Sequence, residues 1–149
     1  RDALELNPPK RCVTEARKLA IALIESNADL RCVWTAGKLN DTNLAIDHCF
    51  PWARWRNNDL WNLLPATDKA NNSKSDKLPS APRMESSKPA ITRWWQEGYL
   101  QSPLSESFWV QAKAALPFSE QLSEVDGLFD AMCLQRAVLR KNQRLEEWR

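Results

Sequence analysis

Eight tryptophans share a chain of 149 residues with only three glycines. Each indole buries a large apolar face and keeps one N–H donor, so a chain with this many must place several of them in its core. The length suits one compact domain, or a small module with a helical extension, and is too short for two large domains. With 43% hydrophobic and 27% charged residues, the composition is that of a folded soluble protein and not of a disordered one.

The formal charge of +2 does not by itself mark a nucleic-acid binder, so such a reading rests on where basic residues cluster. Cys12, Cys32, Cys49 and Cys133 lie far apart with no Cys-x-x-Cys pair. Neither a zinc knuckle nor a dense disulfide framework is legible, which points to free thiols in a reducing, cytoplasmic setting. No apolar run reaches the roughly 18 residues that span a bilayer, so no membrane role is expected, and "RDALELNPPKR" lacks the apolar stretch of a signal peptide. The first residue is Arg, not Met, which suggests a piece of a longer protein.

Ala16, Leu19, Ala20, Leu23 and Ile24 have the spacing of an amphipathic helix over residues 13–28. Cys32, Val33 and Trp34 predict a short strand turning at Ala36-Gly37, and "NLAID" a second strand running into His48. Pro51 and "RNNDL" predict an irregular loop, and Thr67 is placed to cap a short helix from Asp68 to about Lys74. The predicted order is strand, strand, loop, helix. Pro79, Pro82 and Pro89 among Ser and Lys predict an extended connection over residues 75–89. Three helical stretches follow, the second with Ser102 as cap and Pro103 at its first position, the third over residues 119–148.

Residues 47–74 concentrate groups with a use in phosphodiester hydrolysis. The attacking water needs a base, and a neutral imidazole is the side chain suited to take its proton near neutral pH; His48 is the single histidine. The phosphate and the leaving 3′-oxygen need positive charge, and a carboxylate with an amide carbonyl, Asp47 with Asn71, forms an oxygen set that a hard Mg²⁺ accepts. Consecutive strand residues point to opposite sides, so Asp47 can face a metal while His48 approaches from another direction.

Asp47-His48, Pro51, the "LWNL" box around Asn62 and "NNSKSDKLP" from Asn71 to Pro79 resemble the HNH endonucleases, also called ββα-metal nucleases. The spacing, fourteen positions from His48 to Asn62 and nine from Asn62 to Asn71, is similar to that of the HNH domain in CRISPR effector nucleases. The resemblance covers roughly residues 30–80. It implies an α+β fold in which a small ββα-metal core over 30–80 is embedded in a mainly helical single domain spanning 1–149, with an N-terminal helix and a helical cap over 90–149. It implies His48 as general base, Asp47 and Asn71 as ligands of Mg²⁺ or Mn²⁺, and Asn62 as the residue that braces the loop and orients His48. Asn72 competes with Asn71, and the spacing favours Asn71. Lys74 falls where the family often carries a lysine near the phosphate, and Lys77 follows it in the same basic run. Many members bind a structural zinc through two Cys-x-x-Cys pairs; here Cys32 alone remains, so no structural zinc is expected.

Arg54 and Arg56, interleaved with tryptophan near this site, suit contact with DNA phosphates. For the basic stretch 134–144 a solvated face is the better expectation. Trp52, Trp55 and Trp61 suit base stacking or core packing, with the core favoured. The implied activity is metal-dependent cleavage of DNA, in which the chain works alone or within a larger protein or ribonucleoprotein assembly. The rivals are a nucleic-acid-binding or docking module without turnover, and an RNA-cleaving nuclease.

Overall fold

Two antiparallel strands and one short helix form the centre of the protein, and the computed structural model describes residues 11–149. The part of the N-terminal stretch before residue 11, inspected above for a signal peptide, lies outside the described residues. Helix α1 (Thr14–Glu25) packs against the sheet through buried Ala16 and Ala20, at the position its apolar spacing predicts. Strand β1 (Leu44–His48) pairs with β2 (Leu63–Thr67), with Leu44 opposite Thr67 and His48 opposite Leu63. Helix α2 (Asp68–Lys74) follows directly, its first turn closed by Thr67 Oγ1, which accepts the Ala70 N–H at 3.1 Å. This is the cap predicted from sequence.

The partner of β1 differs from the expectation. Residues 32–34 form no strand: Arg31 and Lys38 make a single bridge around a tight turn closed by Cys32 N–H to the Gly37 carbonyl at 2.8 Å. Cys32, Val33 and Trp34 are all buried, so their β-prone apolar character serves packing instead of pairing. The order is therefore strand, long loop (49–62), strand, helix. Pro65 sits within β2, where an outer strand of a two-stranded ladder tolerates a missing N–H, and its carbonyl accepts the Val33 N–H at 3.1 Å.

The predicted extended connection over 75–89 is also replaced. Strand β3 (Leu78–Pro79) leads into helix α3 (Ala81–Arg93), capped by Ser80 Oγ on the Arg83 N–H at 3.2 Å. Pro82 falls in the first turn, where its absent N–H has no intrahelical partner to lose. Pro89 alone is interior, a position that costs about 3 kcal/mol. Burial of Met84, Ser87 and Ile91 along the inward face of α3 opposes that cost.

Helix α3 continues into a π-helical segment (Trp94–Gly98) and a tight turn (Tyr99–Gln101). Trp94 and Trp95 are both buried. The Trp94 indole and the Tyr99 hydroxyl donate to the Leu63 carbonyl at 3.0 and 2.8 Å, and the Trp95 indole donates to the Trp61 carbonyl at 3.3 Å. The helical cap thus grips the start of β2. A Cβ at Gly98 would lie 3.0 Å from the Trp94 ring, so any larger residue here would press on that indole. Helix α4 (Ser105–Ala115) begins two residues later than predicted, because Ser102 Oγ takes the Leu104 N–H at 3.1 Å in a preceding turn. Helix α5 (Val125–Gln143) stops short of residue 148: Arg144 adopts a left-handed φ of 52°, and the chain turns back to pair β4 (Glu147–Trp148) parallel with β3.

Among the described residues no helix is long and apolar enough to cross a membrane, and the four cysteines are free thiols. Trp95 is fully buried whereas Val110 is 62% exposed. Trp95→Ala is expected to lower unfolding free energy by about 3–5 kcal/mol, and Val110→Ala to change it by less than about 0.5 kcal/mol. Urea denaturation of the two variants checks both.

Candidate active site

The end of β1, the loop after it and the exposed side of α2 enclose an open cleft of about 320 Å³. Asp47, His48, Asn71 and Asn72 line it, joined by Trp52 and Arg11. Three of the residues that the sequence singles out, two consecutive on a strand and one on a helix, are thereby brought to one cavity.

Asp47 is 3% exposed, and both of its oxygens face donors. The Trp34 indole N–H donates to Oδ2 at 2.8 Å, and Lys74 Nζ lies 3.2 Å from Oδ1. Lys74 is wholly buried and also donates to the His48 carbonyl at 2.8 Å. A buried charge is tolerated when it is paired and hydrogen-bonded, and this lysine is both. Its expected place beside the substrate phosphate is therefore corrected: Lys74 braces the strand end from behind. Each Asp47 oxygen retains acceptor capacity beyond these bonds.

His48 is 6% exposed, with Nε2 3.0 Å from Asn58 Oδ1. The same Asn58 oxygen accepts the Cys12 backbone N–H at 3.0 Å. An atom that receives a backbone N–H is the amide oxygen and cannot donate, so Nε2 carries the ring proton and Nδ1 holds the lone pair. Burial pushes the imidazole below its ordinary pKa, against the opposing effect of the Asn58 hydrogen bond, so the ring is neutral at pH 7. Trp52 meets it edge-on at 5.4 Å between centroids.

Asn62 touches neither the cleft wall nor the imidazole. Fully buried, it accepts the Phe50 N–H at 2.8 Å and donates to the carbonyls of Phe50 and Asn57 at 3.3 and 3.1 Å. Its own carbonyl takes the Cys49 N–H at 2.9 Å. It pins both limbs of the loop that carries Asn58, which makes it a positioning residue. The tryptophans of this loop divide accordingly: Trp61 is fully buried, Trp55 stacks on Phe50 at 5.9 Å, and Trp52 alone reaches the cleft. Cys49 is buried with Sγ 3.7 Å from Met84 Sδ, and burial pushes its thiol well above the ordinary range. It is not a nucleophile partner for His48.

The basic residues expected to meet nucleic acid lie outside the cleft wall. Arg54 pairs with Asp76 at 3.3 Å, both half exposed, while its carbonyl takes the Gln143 amide at 3.2 Å. Lys77 lies 3.8 Å from Glu146 and Arg56 is exposed. On α5, Arg136 and Arg140 hold Glu147 at 2.8 and 2.6 Å. Asn58, Trp34 and Arg11 are the site residues that sequence reasoning misses. The "RNNDL" run contains Asn58, but nothing local distinguishes it from Asn57; the other two reach the site only through tertiary contacts.

Asn71 is half-buried and its side chain makes no hydrogen bond among the described residues, which leaves its carbonyl oxygen available. One carboxylate and one amide oxygen on a single cleft wall fit a hard divalent cation that retains several waters. Removing the counter-charge of Asp47 tests the support beneath it. Lys74→Met is expected to cost roughly 3–5 kcal/mol of stability, and adding Asp47→Asn should restore part of it; equal urea midpoints for the parent and Lys74→Met would contradict the pairing.

Residues 32–80 match the family model described as HNH endonuclease. The matched span opens at buried Cys32 and includes β1, the loop, β2, α2 and β3. The match covers about a third of the chain, and the family it describes is one of endonucleases, metal-dependent hydrolases that bind nucleic acid. No curated protein matches the chain.

Proposed function

We propose that this chain, an HNH endonuclease across residues 32–80, hydrolyses DNA phosphodiester bonds, with His48 as general base and Asp47 and Asn71 as ligands of a Mg²⁺-type ion. The observation that carries the reading is that Asp47, His48 and Asn71 share one cleft while Asn58 engages Nε2 of the imidazole, which leaves Nδ1 to accept a proton. DNA has no 2′-hydroxyl to serve as an internal nucleophile, so its hydrolysis needs the activated water that a neutral His48 is suited to make.

His48 Nδ1 takes one proton from the attacking water as the water oxygen bonds to phosphorus; the bond from phosphorus to the 3′-oxygen breaks, that oxygen takes a proton from solvent water, and His48 later returns its own proton to solvent. The products are a 5′-phosphate and a 3′-hydroxyl. When bound, the divalent cation offsets charge on the phosphate oxygens and assists departure of the 3′-oxygen. Asp47 is fixed between Trp34 and Lys74, and Asn71 offers its side-chain carbonyl from α2. Asn62 holds the loop, and so keeps Asn58 against the imidazole. Arg54 and Arg56, with Lys77 farther along, meet flanking phosphates, Arg54 by exchanging its exposed bond to Asp76. Residues 90–149 form the cap that supports this core. One cleft cuts one strand, so a double-strand break needs a second site.

Nicking of supercoiled plasmid in Mg²⁺, abolished by EDTA, is the expected activity. His48→Ala should slow it by about 10²–10⁴-fold at a temperature where circular dichroism shows the variant folded. Equal rates for parent and variant would remove His48 from the chemistry, and cleavage confined to RNA would replace the substrate.

A further inference from the structure

The family segment leaves its own cleft short of positive charge. Lys74, the cation nearest the site within residues 32–80, is wholly buried against Asp47. Arg54 faces Asp76, and neither Arg56 nor Lys77 lies on the cleft wall. Asp47 and Asp76 on that wall are matched by Lys74 and Arg54 respectively. An incoming phosphodiester therefore adds a negative charge that no side chain of the segment meets, and this charge grows as the pentavalent state forms.

Arg11 is the cationic side chain among the described residues that line the cleft. It is exposed and makes no hydrogen bond or ion pair among the described residues, so its guanidinium is available. Its backbone, however, is held. The next residue, Cys12, donates its N–H to Asn58 Oδ1 at 3.0 Å, the same atom that engages His48 at 3.0 Å. Helix α1 begins two residues beyond Cys12 and is anchored to β1 by Arg17 Nη1, which donates to the Leu44 carbonyl at 3.2 Å. A single amide oxygen thus ties the segment carrying Arg11 to the imidazole.

We infer that Arg11, which lies outside the HNH segment, forms the phosphate-binding subsite of this cleft and contacts the phosphate of the strand being cut. A planar guanidinium offers two parallel N–H donors to two phosphate oxygens, and it meets the substrate from the wall shared with His48. The inference rests on the phosphodiester reading of the cleft.

The lone histidine gives one set of imidazole signals in an NMR spectrum, so occupation of the cleft can be followed without turnover. Hexathymidylate added in EDTA at fixed pH should shift the His48 ring signals of the parent. Arg11→Ala should weaken that binding by about 10- to 100-fold, the loss expected for a charged hydrogen bond. Arg11→Lys should recover part of it, and plasmid nicking in Mg²⁺ should fall in the same order. Nicking by the parent with binding and rate unchanged in Arg11→Ala would overturn the subsite and leave the nuclease reading intact. Weakened binding in Arg11→Ala without nicking by any variant would uphold the subsite and overturn the nuclease reading. Absence of any shift of the parent's ring signals would overturn the subsite, whatever the plasmid assay gives.

Discussion

A lysine with no exposed surface joins the last residue of α2 to the end of β1. Its ammonium lies 3.2 Å from Asp47 Oδ1 and 2.8 Å from the His48 carbonyl. Because Asp47 and His48 are consecutive, one group fixes the side chain of the first and the backbone of the second. The proposed ligand and the proposed base are therefore positioned together. Away from solvent such a pair is costly to break and contributes less to net stability than its short contacts suggest. Its consequence here is geometric: the helix that presents Asn71 and the strand that presents Asp47 and His48 cannot shift independently.

The tryptophans extend that constraint outward. Five of the eight indoles donate to a defined acceptor: Trp34 to Asp47, Trp61 to Asp59, Trp94 to Leu63, Trp95 to Trp61 and Trp148 to Ser73. They act as polar clamps as well as apolar filling. Trp34 meets Trp148 edge to face at 5.5 Å, and Arg83 lies over Trp148 at 3.6 Å. The short C-terminal strand thereby reaches the back of the residue that holds Asp47. The buried indoles of the cap, Trp94 and Trp95, grip the chain at and just before the start of β2. Packing and indole hydrogen bonds thus tie both strands to the chain around them.

What was legible in the sequence follows from the range of the interactions. Thr67 capping α2 and the apolar stripe of α1 are local signals, and the structure keeps both. The pairing of β1 with β2 was hidden because Pro65 interrupts an apolar run and the intervening loop is long. Residues 81–89 looked extended because prolines count against a helix wherever they fall, although Pro82 occupies the one turn that accepts it. Lys74 looked like a surface cation because its counter-charge lies 27 residues away. Asn58 and Arg11 carried no signal that set them apart: Asn58 meets His48 because Asn62 pins the loop after β1, and Arg11 reaches the cleft because the segment before α1 is tied to that loop through Cys12 and Asn58. The residues 47, 48, 62 and 71 stood out by spacing, yet spacing did not tell a cleft residue from a buried brace such as Asn62.

The most direct test is diffraction from crystals grown with Mn²⁺, using anomalous scattering to locate the ion. The account predicts one strong peak in the cleft, bonded to a side-chain oxygen of Asp47 and to the Asn71 carbonyl, with Lys74 and Trp34 still on Asp47. A cleft without a peak, or an ion held by Asp76 and Asn72 and away from Asp47, would contradict it.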